Sequence, residues 1–346
     1  MIPSSAGRQT RILVVLPNWF GETLFATPFL RALRQARPEA RITALGRPAC
    51  REVLQHHSAV DACLELDARL GRSPAGVWRL VQRLRGHFEM AFILRRSLSR
   101  TLLLWAAGIP ERVGFDHAKS GWLLTRRVAL PTGRHKAYTY LRLLDAIGAT
   151  PSETPYEYVV SDEERLQARR RLAQPEPDGR PLVVLHPGAN WPHKRWAPER
   201  FAALGDRLAE ACQAEILITG GPADVGLATL VRERMRAPAR LLAGQTTLRE
   251  LAACLEQARL IVSNDTGVLH IAAALGRMVV ALYGPTSPAF TGPLPPDPGR
   301  VIVLHHPDCC PAIPCMSPDR PPHAGMAAIT VDEAADAALR LLSRDG

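Results

Sequence analysis

RILVVLPNWFGETLFATPFLRALR, residues 11–34, opens as a strand and closes as a helix. The run Ile12–Leu16 is apolar without alternation, the pattern of a strand buried on both faces. Leu24, Phe25, Phe29, Leu30 and Leu33 then recur at three- and four-residue spacing, which predicts an amphipathic helix. The turn Pro17-Asn18-Trp19-Phe20-Gly21 joins them, with Glu22 directly behind it. In an open parallel sheet a strand-to-helix turn lies at the carboxyl edge, where ligands bind. Glu22 is therefore the first candidate for chemistry.

The same alternation continues along the chain. Ile42 to Leu45, Met90 to Leu94, Val183 to His186, Ile216 to Thr219, Leu260 to Val262 and Val279 to Leu282 are strand candidates separated by helical patterns. That order predicts an α/β protein with parallel sheets covered on both faces. The stretch Gln174-Pro175-Glu176-Pro177-Asp178-Gly179-Arg180-Pro181 ends a helical pattern that begins at Asp162 and introduces a new strand. Two doubly wound halves facing across a cleft follow: a first domain over 1–160, a linker over 161–181 and a second domain over 182–329. Thr330 with Glu333 forms a capping box at the start of a closing helix over 330–346.

At 346 residues and 47% hydrophobic content the chain can fill two cores of ordinary size. The start MIPSSAGRQTR lacks the apolar centre of a signal peptide, and no run near 18 residues is continuously apolar, so a cytoplasmic location is expected. Seven cysteines, four of them isolated at Cys50, Cys63, Cys212 and Cys254, read as reduced thiols rather than a disulfide framework. The net charge of +10 is unevenly spread. Residues 1–150 hold 23 Lys and Arg against 10 Asp and Glu, so the remainder is slightly acidic. A basic first half suits an anionic partner: nucleic acid, a phosphorylated lipid or the inner membrane face. No stacking platform or recognition motif accompanies the arginines, which sets nucleic acid aside. Only three lysines, Lys119, Lys136 and Lys194, stand among forty arginines.

LIVSNDTGVLHIAAALG, residues 260–276, places the turn Ser263-Asn264-Asp265-Thr266-Gly267 between a strand and a helix. The free N–H groups at such a helix start form an anion site. His270 lies one turn further on. A plain helix N-cap is the alternative for Asp265, and a structural histidine for His270. LHPGANWPHKRWAPERF, residues 185–201, carries Lys194 in a loop ahead of a helix that Pro198 can start. Lys194 there can neutralise a leaving diphosphate without a metal, or be a solvated loop lysine. In ILITGGPADVGLA, residues 216–228, Asp224 stands where a carboxylate holds ribose hydroxyls. AGQTTLREL, residues 243–251, offers Thr246 to a base pocket.

These stretches, in this order, resemble glycosyltransferase family 9, the heptosyltransferases of lipopolysaccharide core synthesis. NWFGETLFATP is similar to that family's N-terminal motif, and SNDTGVLHIAAALG with ALYGPTSP to its C-terminal signature. The resemblance implies the GT-B fold, two Rossmann-like domains with the acceptor on the first, the nucleotide sugar on the second and the last helix crossing back to the first. It implies inverting transfer of a heptose from ADP-heptose to a phosphorylated, Kdo-bearing lipid A or core oligosaccharide, with no metal or other cofactor, at the inner membrane face. By the same resemblance Glu22 is the base, Lys194, Thr266 and Gly267 hold the diphosphate, Asp265 and His270 line the sugar end, and Asp224 holds the ribose. Asn18, Arg95, Arg96 and Arg100 are placed as acceptor contacts. One departure is plain: the family's Gly-Asp pair is Gly21-Glu22 in this chain. That change motivates one alternative, a non-catalytic protein that binds a sugar nucleotide, and the resemblance leaves a second, a family 9 transferase with another donor sugar.

Two stretches carry weaker expectations. TLLLWAAGIP, residues 101–110, reads as a core helix, with a membrane-interface helix as the alternative. HHPDCCPAIPCMSPDRPPH, residues 305–323, has ligand types that suit zinc but not the paired spacing of a zinc site, and is read as a Pro-rich surface loop.

Overall fold

The computed structural model describes residues 9–66, 73–172, 180–309, 315 and 323–345. The chain divides between Val159 and Val160 into two compact units. In the first, strands β1 (Arg11–Val15), β2 (Arg41–Gly46), β3 (Ala62–Glu65), β4 (Met90–Ile93), β5 (Glu111–Phe115) and β6 (Arg126–Val128) alternate with helices. Those helices are α1 (Phe20–Phe25), α2 (Thr27–Ala36), α3 (Pro48–Leu54), α4 (Pro74–Leu84), α5 (Leu98–Ala106) and α6 (Lys136–Leu141). The second unit has strands β7 (Leu182–His186), β8 (Glu215–Ile218), β9 (Ala239–Leu241), β10 (Leu260–Asn264), β11 (Met278–Tyr283) and β12 (Val301–His305). Its helices are α7 (Asp162–Leu172), α8 (Pro198–Cys212), α9 (Val225–Arg234), α10 (Leu248–Gln257), α11 (Gly267–Ala274), α12 (Pro288–Thr291), α13 (Ala324–Ala328) and α14 (Val331–Leu342).

Both sheets are parallel and wound alike: β3-β2-β1-β4-β5-β6 and β12-β11-β10-β7-β8-β9. In each, the unit's first and fourth strands lie side by side, with Ile12 level with Met90 in one and Val183 level with Leu260 in the other. Connections leave in opposite directions at that junction, so a crevice opens at its carboxyl edge. The doubly wound pair expected from the sequence is present.

Four details refine or differ from the sequence reading. The helix expected over 24–33 is two helices, and Glu22 lies inside the first of them instead of in the turn. Pro28 has no N–H for the carbonyl of Leu24, and the Thr27 hydroxyl donates to that carbonyl at 2.8 Å instead, so the chain breaks at Ala26. The stretch read as linker contains α7, which packs on α10 through the ion pairs Glu164–Arg249 and Arg165–Glu256 and belongs to the second unit. The closing helix α14 buries Ala334, Ala338 and Leu341 among Phe201, Leu204 and Leu282 in the second unit's core. Lastly, Leu103 and Leu104 of α5 are core residues while Leu98, Leu102 and Trp105 are exposed. No described helix is long and apolar enough to cross a membrane.

The Cys/His-rich stretch lies mostly outside the described residues. Of those described, His306 pairs with Glu333 at 3.0 Å and His323 caps α13 by accepting from Gly325 N. Among the described residues no three His, Cys, Asp or Glu side chains group as metal ligands.

Candidate active site

At the second unit's strand junction, β10 ends in the fully buried Asn264. Its amide donates to the Pro187 carbonyl at 2.8 Å and accepts from Trp196 N at 3.1 Å, which ties the loop after β7 to the end of β10. That tie sets Lys194, in the same loop, beside Asp265. Lys194 Nζ donates to Asp265 Oδ2 at 2.5 Å, Thr286 Oγ1 donates to the same oxygen at 2.6 Å, and His270 Nε2 stands 3.7 Å from Oδ1. Burial alone would raise the Asp265 pKa, but the nearby His270 ring and the charge and hydrogen bond of Lys194 outweigh it and hold the carboxyl well below the usual range. Lys194 is thus pinned rather than mobile. The N-cap of α11 is Thr266, whose hydroxyl faces Leu269 N, and this leaves Asp265 free of the capping role. Gly267 is the first residue of α11.

One strand away, Asp224 accepts from Gly221 N at 3.1 Å and lies 3.8 Å from Arg195 Nη2. A Cβ on Gly188 would come within 2.5 Å of the Asp224 carboxyl, so glycine is required there for the loops after β7 and β8 to meet. Beneath them His186 is buried and bonded to Thr219 Oγ1 at 3.0 Å, and burial lowers its pKa to about 4 against a weak upward pull from Asp224. Gly244 N donates to Gly220 O at 2.9 Å, which draws the loop holding Thr246 to this edge. Thr246 stays half-buried beside the α10 N-cap Thr247.

The first unit's junction carries a different set. Glu22, in the first turn of α1, accepts from Lys136 Nζ at 2.7 Å through Oε1. Its Oε2 is buried without a hydrogen-bond partner. Arg100 of α5 donates through Nη2 to Asn18 Oδ1 at 2.5 Å, and its Nη1 is likewise buried without a partner. Burial lowers the Arg100 pKa, and burial followed by the Glu22 charge raises that of Tyr140 on α6. Arg95 and Arg96 are exposed, and only Arg95 is close enough for its charge to act on Tyr140.

Lys194, Asp265 and His270 are therefore one cluster, Asp224 belongs to its neighbour, and in the first unit Glu22 pairs with Lys136 while Arg100 pairs with Asn18. Sequence reasoning missed Lys136, Tyr140, Asn264 and Thr286. Thr286 lies within ALYGPTSP, and Lys136 was signalled only by the scarcity of lysine.

The family profile of glycosyltransferase family 9 (heptosyltransferase) matches residues 77–314. Lipopolysaccharide heptosyltransferase 2 of Escherichia coli (strain K12) is 31% identical over 307 residues, spanning 82% of this chain and 85% of that protein. The protein of the same name from Salmonella typhimurium is 32% identical over 305 residues, with 82% and 85% covered. Among solved structures, a glycosyl transferase family 9 protein from Veillonella parvula DSM 2008 superposes with a TM-score of 0.82 at 25% identity, covering 96% of this chain and 97% of that one. E. coli ADP-heptose lps heptosyltransferase II shares the fold, with a TM-score of 0.80 and 97% of this chain and all of that chain covered. Two Rossmann-like units with a polar cluster at each junction define a glycosyltransferase of the GT-B fold. This chain belongs to glycosyltransferase family 9, the heptosyltransferases.

Proposed function

We propose that the enzyme transfers a heptose from ADP-heptose to a phosphorylated, Kdo-bearing lipid A or core oligosaccharide, without a metal, working from the cytoplasm at the inner membrane face. The observation that carries this reading is Glu22: one carboxylate oxygen rests on Lys136, and the other is buried and unpaired. An acceptor hydroxyl donating to Oε2 satisfies that atom, and the same contact is the one a general base needs. The hydroxyl proton passes to Glu22 as its oxygen bonds to the anomeric carbon, and the bond from that carbon to the diphosphate breaks with its electron pair leaving on ADP. The unpaired Nη1 of Arg100 supports an anionic group on the acceptor, with Asn18 holding the guanidinium, and Arg95 and Arg96 outside it.

In the second unit, Lys194 keeps two N–H groups beyond the one given to Asp265, and these with the first turn of α11 at Thr266 and Gly267 neutralise the leaving diphosphate. Asp265 and His270 line the sugar end, Asp224 takes the ribose, and Thr246 borders the base.

ADP release from ADP-heptose, measured with and without Kdo-lipid A or heptosylated acceptors, tests this. Glu22→Gln is expected to lower turnover by about 10²- to 10⁴-fold while ADP affinity stays unchanged, and Glu22→Asp to retain part of it. Undiminished turnover in the Gln variant overturns the base assignment.

A further inference from the structure

Helix α5 has two faces with different destinations. Inward, Arg100 reaches Asn18, four residues ahead of Glu22 in the chain, while Leu103 and Leu104 enter the core with Leu80 and Leu84 of α4. Outward, Leu98, Leu102 and Trp105, spaced four and three residues apart, form one exposed stripe. The elements that pack on α5 add exposed apolar side chains of their own: α4 exposes Val77 and Trp78, and the short turn Gly121–Leu123 exposes Trp122. Trp78, Trp105 and Trp122 are 62%, 53% and 66% exposed, although tryptophan is ordinarily among the better-covered side chains. Soluble monomers seldom leave such a surface bare without a use for it.

Charge selects the occupant. Residues 73–110 contain six arginines and a single acid, Glu89, which is already bonded to Arg11. Arg79 and Arg83 on α4 and Arg95 and Arg96 ahead of α5 are exposed and, among the described residues, pair with no carboxylate. A second copy docked through this face about a twofold axis would set arginine against arginine. An anionic bilayer surface satisfies both halves of the pattern, because indole rings settle at the headgroup level and arginines meet lipid phosphates.

We infer that the exposed ridge of α4, α5 and the Gly121–Leu123 turn seats the first unit on an anionic bilayer, with α5 joining the lipid surface to the Glu22 cluster. The inference rests on the proposed lipid-linked acceptor and gives its delivery a physical route. An acceptor anchored in the leaflet on one face of α5 presents its sugar at Arg100 on the other.

Sedimentation of the full chain with vesicles tests the seat without using turnover. The protein is expected to pellet with phosphatidylglycerol vesicles, far less with phosphatidylcholine vesicles, and less again as salt rises. The triple variant Trp78→Ser, Leu102→Ser, Trp105→Ser is expected to lose about tenfold or more in vesicle affinity, yet to turn over a delipidated core oligosaccharide at the wild-type rate, which also reports that it is folded. Equal pelleting of the variant, equal binding to both lipids, or a dimer in light scattering that the variant dissolves each overturns the inference. Failure of every acceptor to support turnover would overturn the catalytic reading and leave the vesicle result standing on its own.

Discussion

Each half of the molecule sets a lysine on a carboxylate at its strand junction, and the two pairs are built to opposite ends. Lys194 and Asp265 are 20% and 6% exposed, and Thr286 and His270 occupy further positions around the carboxylate. Lys136 and Glu22 are 44% and 19% exposed, and one Glu22 oxygen is left without a partner. A carboxylate whose acceptor positions are filled holds its surroundings in place, whereas one with a buried, unengaged oxygen has room for a donor. The second unit's cluster is accordingly a fixed electrostatic frame, and the first unit's cluster is the one that keeps an acceptor position open.

The contrast breaks if stability and activity respond alike to damage on the two sides. Asp265→Ala leaves Lys194 buried without its partner and should cost about 3–5 kcal/mol in urea denaturation, while weakening ADP retention. The pH dependence of folding sharpens the same point. The unfolded chain protonates a histidine near pH 6.5, but folded His186 refuses the proton until about pH 4, so stability falls across that window as pH drops. The loss approaches roughly 3 kcal/mol and is absent in His186→Asn. Asp265 has the other sign of shift: its depressed folded value stabilises the protein above about pH 4 and loses that contribution only in stronger acid. In the first unit, Lys136→Met should move the denaturation midpoint by no more than about 1 kcal/mol, because the lysine is half in solvent. Turnover should nevertheless fall about tenfold through a misplaced Glu22. Lys136→Arg, which keeps a cation on the carboxylate, should recover part of it, whereas a purely structural lysine would show no such split between rate and stability.

How much of this the sequence discloses follows from where burial is complete. The central strands β1, β2, β4, β7, β8, β10 and β11 are legible because both of their faces are covered and their residues form unbroken apolar runs. Sheet-margin strands such as β6 (Arg126–Val128) and β9 (Ala239–Leu241) carry arginine and need only three residues, so nothing in their periodicity marks them. In the site, Asp265 and His270 are one helical turn apart and can be read together, as can the loop that carries Lys194. Lys136 stands 114 residues from Glu22, on a helix without a motif, and only the winding of the sheet unites them. The outward stripe of α5 was half-legible: Leu102 to Trp105 is apolar throughout, and hydropathy alone does not tell which of those side chains the neighbouring helix covers.

The break at Pro28 removes one helical hydrogen bond between the segment that carries Glu22 and the stripe that fills the core. Had residues 20–36 been one continuous helix, the bearing of Glu22 would be dictated by the stripe Phe29, Leu30 and Leu33 at about 100° per residue, and any adjustment of the carboxylate would have to rotate the core with it. With the Thr27 hydroxyl closing the gap and Ala26 keeping right-handed helical dihedrals, α1 is a six-residue segment joined to α2 by a softened turn. A glutamate one methylene longer than aspartate can then be aimed by a small tilt of α1, with Thr23, Leu24 and Phe25 shifting against α3 and α6 while the α2 stripe stays seated.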